Sequence, residues 1–214
     1  MEKKIKASIY DFDKTLYRGD SLIDFWIYML IRRPYTLLLL PLQFFFGILF
    51  ILKLVRLARF KALFLLFTTG LKTELLDYYL KDFWKRKRKK IFPWVRERLA
   101  EERKRGEFLI CNSASPRFIL EPMVSELGFD LLICTEFEAR DGRQTNRMIG
   151  TNCRGEEKVR RLEKWSAEND IELSVTSAYS DHLSDVPLLE LAEHGYLIVH
   201  GKIEPYTPTN RRSN

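Results

Sequence analysis

Short apolar runs alternate with amphipathic stretches along most of this chain. The runs are only a few residues long and rich in Ile, Leu, Val, Phe and Tyr, a pattern typical of strands buried on both faces of a sheet. On this basis we predict five strands, at residues 5–10, 107–113, 129–135, 173–180 and 195–199.

Helical periodicity separates the later strands. Gly128 closes the first of these stretches, and Pro187 stands in the first turn of the last one, positions that favour helix termination and helix initiation respectively. Strands alternating with helices predict an α/β fold with a Rossmann-like, three-layer parallel sheet and right-handed crossovers. We predict these helices at residues 116–128, 156–168 and 185–195.

The segment between the first two predicted strands is far longer than a crossover requires. Ser21 and Asp24 resemble a capping box at the start of a helix, residues 73–90 carry apolar side chains at helical spacing, and Pro93 opens a helix that closes near Gly106. The segment is therefore predicted to be a helical insertion.

These boundaries divide the chain into a core, an insertion and a tail. We predict a catalytic core from residues 1–16 and 106–203, an all-helical, membrane-associated cap at 17–105, and a loose tail at 204–214. Ligands of such open sheets bind beyond the carboxyl ends of the strands. Polar residues at that edge are therefore the candidates for chemistry.

Charge is distributed unevenly between these parts. The chain has 214 residues and a formal net charge of +7. Residues 17–105 hold 20 Lys and Arg against 8 Asp and Glu, whereas the rest holds 16 against 21. Three cysteines without zinc-site spacing indicate buried free thiols in a reducing compartment. The N-terminal residues lack the apolar stretch of a signal peptide, so we expect the cytoplasm or the cytoplasmic face of a membrane.

Carboxylates follow the first predicted strand in the sequence "DFD". A carboxylate such as Asp11 can attack phosphorus, and a second one two residues later, Asp13, can protonate the leaving group and then activate water. Ser113, Lys158 and Asp181 stand after the second strand, at the start of a helix and after the fourth strand. Taken singly, each residue also fits a helix cap or a solvated surface.

In this order, the residues resemble the motifs of haloacid dehalogenase superfamily phosphatases. The first motif matches "DFDKTL" (residues 11–16), the second Ser113 in "ICNSAS", the third Lys158 in "GEEKV" and the fourth "YSDHLSD". The family commonly has glycine where this chain has Lys14. The resemblance implies an Mg²⁺-dependent phosphatase that forms an aspartyl phosphate, with a helical cap that selects the substrate.

The resemblance also implies a role for each matched residue. Asp11 is the expected nucleophile and Asp13 the expected general acid and base. Ser113 and Lys158 are expected to hold the phosphoryl oxygens, and Thr15 is expected at the phosphate site, bracing the nucleophile loop.

For the metal, the resemblance implies a set of oxygen ligands. Mg²⁺ is expected on the carboxylates of Asp11 and Asp181 and on the backbone carbonyl of Asp13. Asp185 is expected to orient Lys158 or a metal-bound water.

Residues 34–52 contain no charge and are flanked by Arg and Lys, as in a transmembrane segment. A single crossing would place Asp11 and Asp181 on opposite sides of the membrane, although both are expected in one site. We therefore predict a re-entrant segment, broken at Pro41 and Gly47, in a protein resting on the cytoplasmic face of the inner membrane. A buried helical core of a soluble, cytoplasmic cap is the alternative.

The basic block at residues 85–90 is typical of a segment attracted to anionic lipid. Nucleic acid is not expected as a partner, because no recognition module accompanies the block. The insertion, with "GEEKV" and "YSDHLSDVPLLE", also resembles phosphatidylglycerophosphatase C enzymes, which implies dephosphorylation of phosphatidylglycerol phosphate to phosphatidylglycerol. By charge and position, Arg32, Arg33 and Arg117 are candidate substrate contacts.

Two other functions fit the same sequence. One is a phosphatase for a small soluble phosphomonoester, such as a phosphoserine-like compound or a sugar phosphate. The other, of a different class, is a non-catalytic membrane-binding protein. The sequence makes no prediction of oligomeric state.

Overall fold

A computed structural model describes residues 3–207, and its centre is a seven-stranded sheet. All five predicted strands are present. The strands lie in the order β4-β3-β2-β1-β5-β6-β7. They are β1 (Lys3–Tyr10), β2 (Phe108–Pro116), β3 (Leu131–Arg140), β4 (Arg143–Ile149), β5 (Ile171–Ser180), β6 (His194–Val199) and β7 (Lys202–Pro205).

The sheet is mixed, whereas the sequence pattern predicts a parallel one. The five central strands are parallel, but β4 pairs antiparallel with β3 and β7 antiparallel with β6. Both edge strands return through tight turns with positive φ, at Asp141–Gly142 and His200–Gly201, which suits a hairpin. The predicted tail therefore begins inside β7, and its residues 208–214 lie outside the described part of the chain.

Eight α-helices are described. Those that follow β2 are close to prediction, except that α8 ends before residue 195: the Glu193 N–H bonds to the Val175 carbonyl at 3.0 Å, which returns the chain to the sheet. The helices are α1 (Ser21–Arg32), α2 (Leu40–Ile51), α3 (Leu57–Phe64), α4 (Thr73–Lys87), α5 (Trp94–Lys104), α6 (Arg117–Leu127), α7 (Glu156–Glu168) and α8 (Val186–Leu191).

The sheet separates two hydrophobic cores, which gives the three layers expected. Ile9 and Ile110 face α7 and α8 on one side, and their neighbours Tyr10 and Cys111 face α5 and α6 on the other. This alternation is the consequence of the two-residue period of a strand. The three cysteines are buried and unpaired, as predicted.

The insertion is helical, but two predicted details are wrong. The N-cap of α1 is Asp20, whose side chain accepts a hydrogen bond from the Ile23 N–H at 3.0 Å, so that Ser21 lies inside the helix. In addition, α5 packs against β2 and belongs to the core layer. Its Glu102 accepts hydrogen bonds from Tyr10 and Tyr179 beneath the sheet.

The apolar run forms a hairpin, here called the apolar hairpin. A 3₁₀ helix (Pro34–Leu39) continues into α2, and α3 returns antiparallel, with Phe50 stacked on Phe60 at 4.7 Å between centroids. The 3₁₀ helix changes to the α-helix at Leu40, with Pro41 in the first turn of α2, and Gly47 lies inside α2. The helical run is continuous, so the predicted breaks at Pro41 and Gly47 are wrong.

Among the described residues, one helical run, Pro34–Ile51, is long and apolar enough to cross a membrane, and only 11% of it is buried. The alternative of a buried core helix is therefore wrong. After α2 the chain returns through α3 before it reaches β2, which carries Ser113. The polar residues at the strand ends can therefore lie on the same side of a membrane.

Candidate active site

The carboxyl ends of β1, β2 and β5 open into a cavity of about 320 Å³, here called the polar cavity. Parallel strands bring residues that are distant in sequence to this edge, as expected for an open α/β sheet. Six of the predicted site residues line the cavity: Asp11, Asp13, Ser113, Lys158, Asp181 and Asp185.

Asp11 is the first residue after β1. Its backbone N–H donates to the Tyr179 carbonyl of β5 at 2.9 Å, so the main chain at Asp11 is still fixed by the sheet. Lys14 follows in a left-handed conformation, with φ of 58°, where family members commonly have glycine. The loop geometry that glycine favours is thus kept by a lysine.

Lys158 joins the first and last motifs. Its ammonium lies 2.9 Å from Asp11 Oδ1 and 2.6 Å from Asp185 Oδ2, and its side chain is only 2% exposed. Burial disfavours the ammonium, but the two carboxylates outweigh burial and raise the pKa of Lys158. The lysine therefore stays charged, beside the expected nucleophile.

Asp185 is held by a network of its own. Its carboxylate accepts hydrogen bonds from the Ser180 hydroxyl at 2.8 Å and from the Gly155 N–H at 3.3 Å. Gly155 has φ of 60°, and a Cβ there would lie 3.1 Å from the Ser184 carbonyl. The glycine of "GEEKV" thus allows α7 to begin close to Asp185. Asp185 in turn orients Lys158 through their contact at 2.6 Å.

Asp13 faces the N-terminus of α1. Its carboxylate accepts from the Ser21 N–H at 2.6 Å, from the Ser21 hydroxyl at 3.1 Å and from the Ser115 hydroxyl. Burial is the main cause that raises the pKa of Asp13 to about 7, and the negative charge of nearby Asp20 raises it further. The hydrogen bonds lower the pKa but do not offset these two effects. A carboxyl group with this pKa can give and take a proton near neutral pH.

The two hydroxyl groups of the predicted phosphate site lie in different places. Ser113 is buried at the cavity wall, and its Oγ accepts the Ser115 N–H at 3.3 Å. Thr15 is fully buried and does not line the cavity; its hydroxyl has no hydrogen-bond partner among the described residues. A direct contact between Thr15 and phosphate is therefore wrong for this geometry, while its role in bracing the loop stays a prediction.

Asp181 lines the polar cavity together with Asp11. Burial, followed by the charge of Asp11, raises the pKa of Asp181 to about 6. A cation between the two carboxylates would relieve this crowding of negative charge. Within residues 3–207, no three Asp, Glu, His or Cys side chains form a metal cluster, but the predicted set needs only two carboxylates and the Asp13 carbonyl. These hard oxygen donors fit Mg²⁺.

Lys61 also lines the polar cavity, although in the sequence it is only one of the basic residues that follow the apolar run. It reaches in from α3, and its ammonium donates to the Ala114 carbonyl at 2.8 Å and to Asn152 Oδ1 at 2.7 Å. Burial lowers its pKa to about 8, against the opposing charges of nearby aspartates. No sequence motif marks this contact, because it joins the insertion to the core.

Arg154 is a second cation that the motifs do not identify. It lines the polar cavity and donates to the Ser184 hydroxyl at 3.3 Å. Neither Lys61 nor Arg154 has a carboxylate within 4.0 Å in the described chain, so both charges can face an anion. Their presence adds positive potential at the mouth of the cavity.

The three arginines proposed as substrate contacts do not line the polar cavity, so their contact with the substrate beyond its phosphate stays a prediction. Arg32 pairs with Asp82 at 2.6 Å, and the Arg33 guanidinium lies 4.7 Å from the ring centroid of Tyr35. Arg117 donates to a glutamate and to a backbone carbonyl of β3. Each guanidinium is held by partners that lie outside the polar cavity.

The chain is similar in sequence to several curated proteins. It is 38% identical over 102 residues to Protein CicA of Caulobacter vibrioides, which covers 47% of this chain and 45% of that protein. It is 34% identical over 105 residues to a histidinol-phosphatase of Neisseria meningitidis serogroup C, over 47% of each. The alignments span about half the length of these relatives.

A solved structure resembles the whole fold. A protein of unknown function from Bordetella pertussis Tohama I superposes with a TM-score of 0.74 at 22% identity, over 91% of this chain and 89% of that one. Residues 9–190 match the family of haloacid dehalogenase-like hydrolases, which includes all four predicted motifs. The motif resemblance is thus confirmed, and the chain belongs to the haloacid dehalogenase-like hydrolase family.

Proposed function

We propose that this protein is a phosphomonoester phosphatase that works through an aspartyl phosphate. One observation carries the proposal: a buried carboxylate, Asp11, lies 2.9 Å from the Lys158 ammonium in a cavity that also holds Asp13. The membership of the chain in the haloacid dehalogenase-like hydrolase family also supports a hydrolytic reaction.

In the first step, an Asp11 carboxylate oxygen attacks phosphorus and the bond from phosphorus to the ester oxygen breaks. Asp13 gives its proton to the departing alkoxide. Lys158 and Ser113 stabilise the charge on the phosphoryl oxygens.

In the second step, Asp13 takes a proton from water as that water attacks phosphorus. Inorganic phosphate leaves, and both the Asp11 carboxylate and the Asp13 proton are restored. Asp11, Asp181 and the Asp13 carbonyl would hold Mg²⁺, which would supply positive charge against the phosphoryl oxygens.

For the substrate, we propose a lipid phosphomonoester, specifically phosphatidylglycerol phosphate, which would yield phosphatidylglycerol. The exposed apolar hairpin supports this: Leu38 is 83% exposed, Ile51 78% and Phe44 69%. A helix that is apolar on all sides and is not buried in its own protein needs another apolar surrounding. A bilayer that contains the substrate provides one.

We further propose that the protein is monotopic, at the cytoplasmic face of the inner membrane. Lys53, Arg56 and Arg59 are exposed at and after the turn of the apolar hairpin and suit an anionic lipid surface. The block at residues 85–90 supports this only in part, because Lys87 and Lys90 pair with Asp24 inside the protein.

A small soluble phosphomonoester is the second candidate substrate. The similarity to a histidinol-phosphatase favours it, and the polar cavity by itself suits any phosphomonoester. The complete set of catalytic side chains argues against the third reading, a non-catalytic membrane protein.

The test is phosphate release from matched substrates by the purified chain, with Mg²⁺ or with chelator. We expect release from phosphatidylglycerol phosphate in detergent micelles to exceed release from glycerol phosphate and phosphoserine, and to require Mg²⁺. Equal or faster turnover of the soluble esters would assign the small-substrate function, and no release from any ester would contradict the enzyme.

A further inference from the structure

A second cavity lies inside the insertion, between α1, α2 and α3. Its volume is about 290 Å³, and we call it the apolar cleft. Its walls include Trp26 of α1, Gly47 and Ile48 of α2, and Phe60 and Phe64 of α3. The absence of a side chain at Gly47 keeps one wall open, because a Cβ there would meet no atom within 4 Å.

The polar groups in the wall of the apolar cleft satisfy one another. The Trp26 indole N–H donates to Gln43 Oε1 at 3.1 Å, and Gln43 Nε2 donates to the Phe64 carbonyl at 2.9 Å. Through these two hydrogen bonds Gln43, which is only 6% exposed, links the three helices. Apart from Gln43, whose polar groups are already paired, the residues that line the cleft offer hydrocarbon and aromatic surface, which favours an apolar ligand.

The apolar cleft and the polar cavity share two helices as walls. On α1, Leu22 lines the polar cavity and Trp26, one turn later, lines the apolar cleft. On α3, Lys61 reaches the polar cavity while Phe60 and Phe64 line the cleft. One helical turn rises only about 5.4 Å. The charged site and the apolar site are therefore neighbours.

We infer that the apolar cleft holds an acyl chain of the molecule whose phosphate occupies the polar cavity. This inference rests on the proposed lipid phosphatase function and names the part of the protein that recognises the chain. Two features favour this occupant over a second protein: the position of the cleft next to the phosphate site on the same two helices, and the cations Lys61 and Arg154 in the polar cavity.

The kinetic test fills the cleft with the variant Gly47→Phe. We expect kcat/KM for dioleoyl phosphatidylglycerol phosphate to fall by about tenfold or more, the scale on which a hydrophobic pocket discriminates, while hydrolysis of the dihexanoyl analogue and of glycerol phosphate is retained. Leu42→Phe is the matched control, because Leu42 is exposed on the same helix but does not line the cleft. Gly47→Ala should give a smaller loss in the same direction.

Equal losses on long and short chains, or no loss on either, would overturn the assignment. The same holds if Leu42→Phe matched Gly47→Phe. A dimer that Gly47→Phe dissociates would assign the cleft to a second copy of the chain.

A binding measurement separates this inference from the proposed function. A phospholipid with brominated acyl chains should quench tryptophan fluorescence, with the quenching reduced in Trp26→Phe and in Gly47→Phe. If this quenching is seen while phosphatidylglycerol phosphate is not hydrolysed, the cleft is retained and the proposed substrate fails. If the lipid is hydrolysed but quenching is the same in all three proteins, the chain binds elsewhere and the cleft assignment fails.

Discussion

The polar cavity and the apolar hairpin differ in how their side chains are partnered. In the polar cavity, the buried charges of Lys158, Asp11 and Asp185 are matched within the protein at 2.6–2.9 Å. In the apolar hairpin, residues such as Leu38 and Ile51 remain largely exposed. The buried ion pairs of the first region are completed within the fold, whereas the second region exposes apolar side chains that the described chain does not cover.

The two regions are nevertheless joined by one side chain. Lys61 begins in α3 of the apolar hairpin and ends on the Ala114 carbonyl, next to Ser113. A movement of the hairpin in a lipid surface would thus shift Lys61 and the groups that it contacts at the phosphate site. Away from Lys61, we expect variants of the other residues of the two regions to fail in different assays.

The largest effect is expected from Asp11→Asn. Loss of a covalent nucleophile lowers turnover by at least about a thousandfold, and it should do so for every phosphomonoester, lipid or soluble. The measurement is phosphate release, together with acid trapping of a phosphorylated protein, which should be absent from Asp11→Asn. A trapped phosphoenzyme in this variant would place the nucleophile elsewhere.

The matched change in the apolar hairpin is the double variant Leu38→Ser/Phe45→Ser. Both side chains are mostly exposed, so the fold should keep its stability. Because each large apolar side chain withdrawn from water contributes about 1.5–3 kcal/mol, we expect much weaker flotation with anionic vesicles. Turnover of soluble esters should be retained; if it fell as far as in Asp11→Asn, the separation of the two regions would be refuted.

A smaller effect is expected in the pH dependence of stability. In the folded chain the pKa of Asp13 is raised to about 7 from 3.8, so the folded state keeps a proton that the unfolded state releases. Protonation then favours folding at low pH, and this contribution declines as the pH rises from about 4 through about 7. Relative to Asp13→Asn, the wild type should therefore lose unfolding free energy over this window.

The measurement is urea unfolding of both proteins in chelator, across that range of pH. We expect a difference of a few kcal/mol at its upper end, since one pKa unit corresponds to about 1.36 kcal/mol. Asp77→Asn, on the exposed surface of α4, is the control and should follow the wild type. A difference that did not change with pH would mean that Asp13 is already charged in the folded state.

The sequence was sufficient for the central strands and for the residues at their ends. Parallel strands place their carboxyl ends at one edge of the sheet, and the sequence of motifs along the chain indicates which strand ends and helix starts meet there. This is why Ser113 and Lys158 could be placed near Asp11. The burial of Cys111 and Cys134 follows from their places in two central strands. Local pattern and topology agree in the core, which is why the prediction works there.

The insertion offered no such rule. Nothing in the sequence relates Lys61 to Ala114, because helix packing depends on shape rather than on a repeating pattern. Arg32 was proposed as a substrate contact by charge and position, and the structure pairs it with Asp82. The edge strands were different: Asp141 and Gly142 form a turn dipeptide between strand-like residues, a signal that was available for the hairpin of β3 and β4.

The smallest effect is expected at Lys14, where the family commonly has glycine. Lys14 has φ of 58°, a conformation that costs a side chain about 1–2 kcal/mol, and its N–H donates to the Gly19 carbonyl at 3.0 Å. Lys14→Gly removes this strain and the charge, whereas Lys14→Ala removes only the charge. Glycine also adds entropy to the unfolded chain, which offsets part of the relieved strain. We therefore expect the unfolding free energy of Lys14→Gly to exceed that of Lys14→Ala by about 1 kcal/mol.

The charge itself has a separate signature. Lys14 lowers the pKa of Asp181, although burial and Asp11 keep that pKa raised overall. Both variants should thus shift the acidic limb of the rate profile to higher pH by the same amount, while only the glycine gains stability. If Lys14→Ala were as stable as Lys14→Gly, the left-handed loop would carry no strain, and the polar cavity would tolerate lysine at this position without cost.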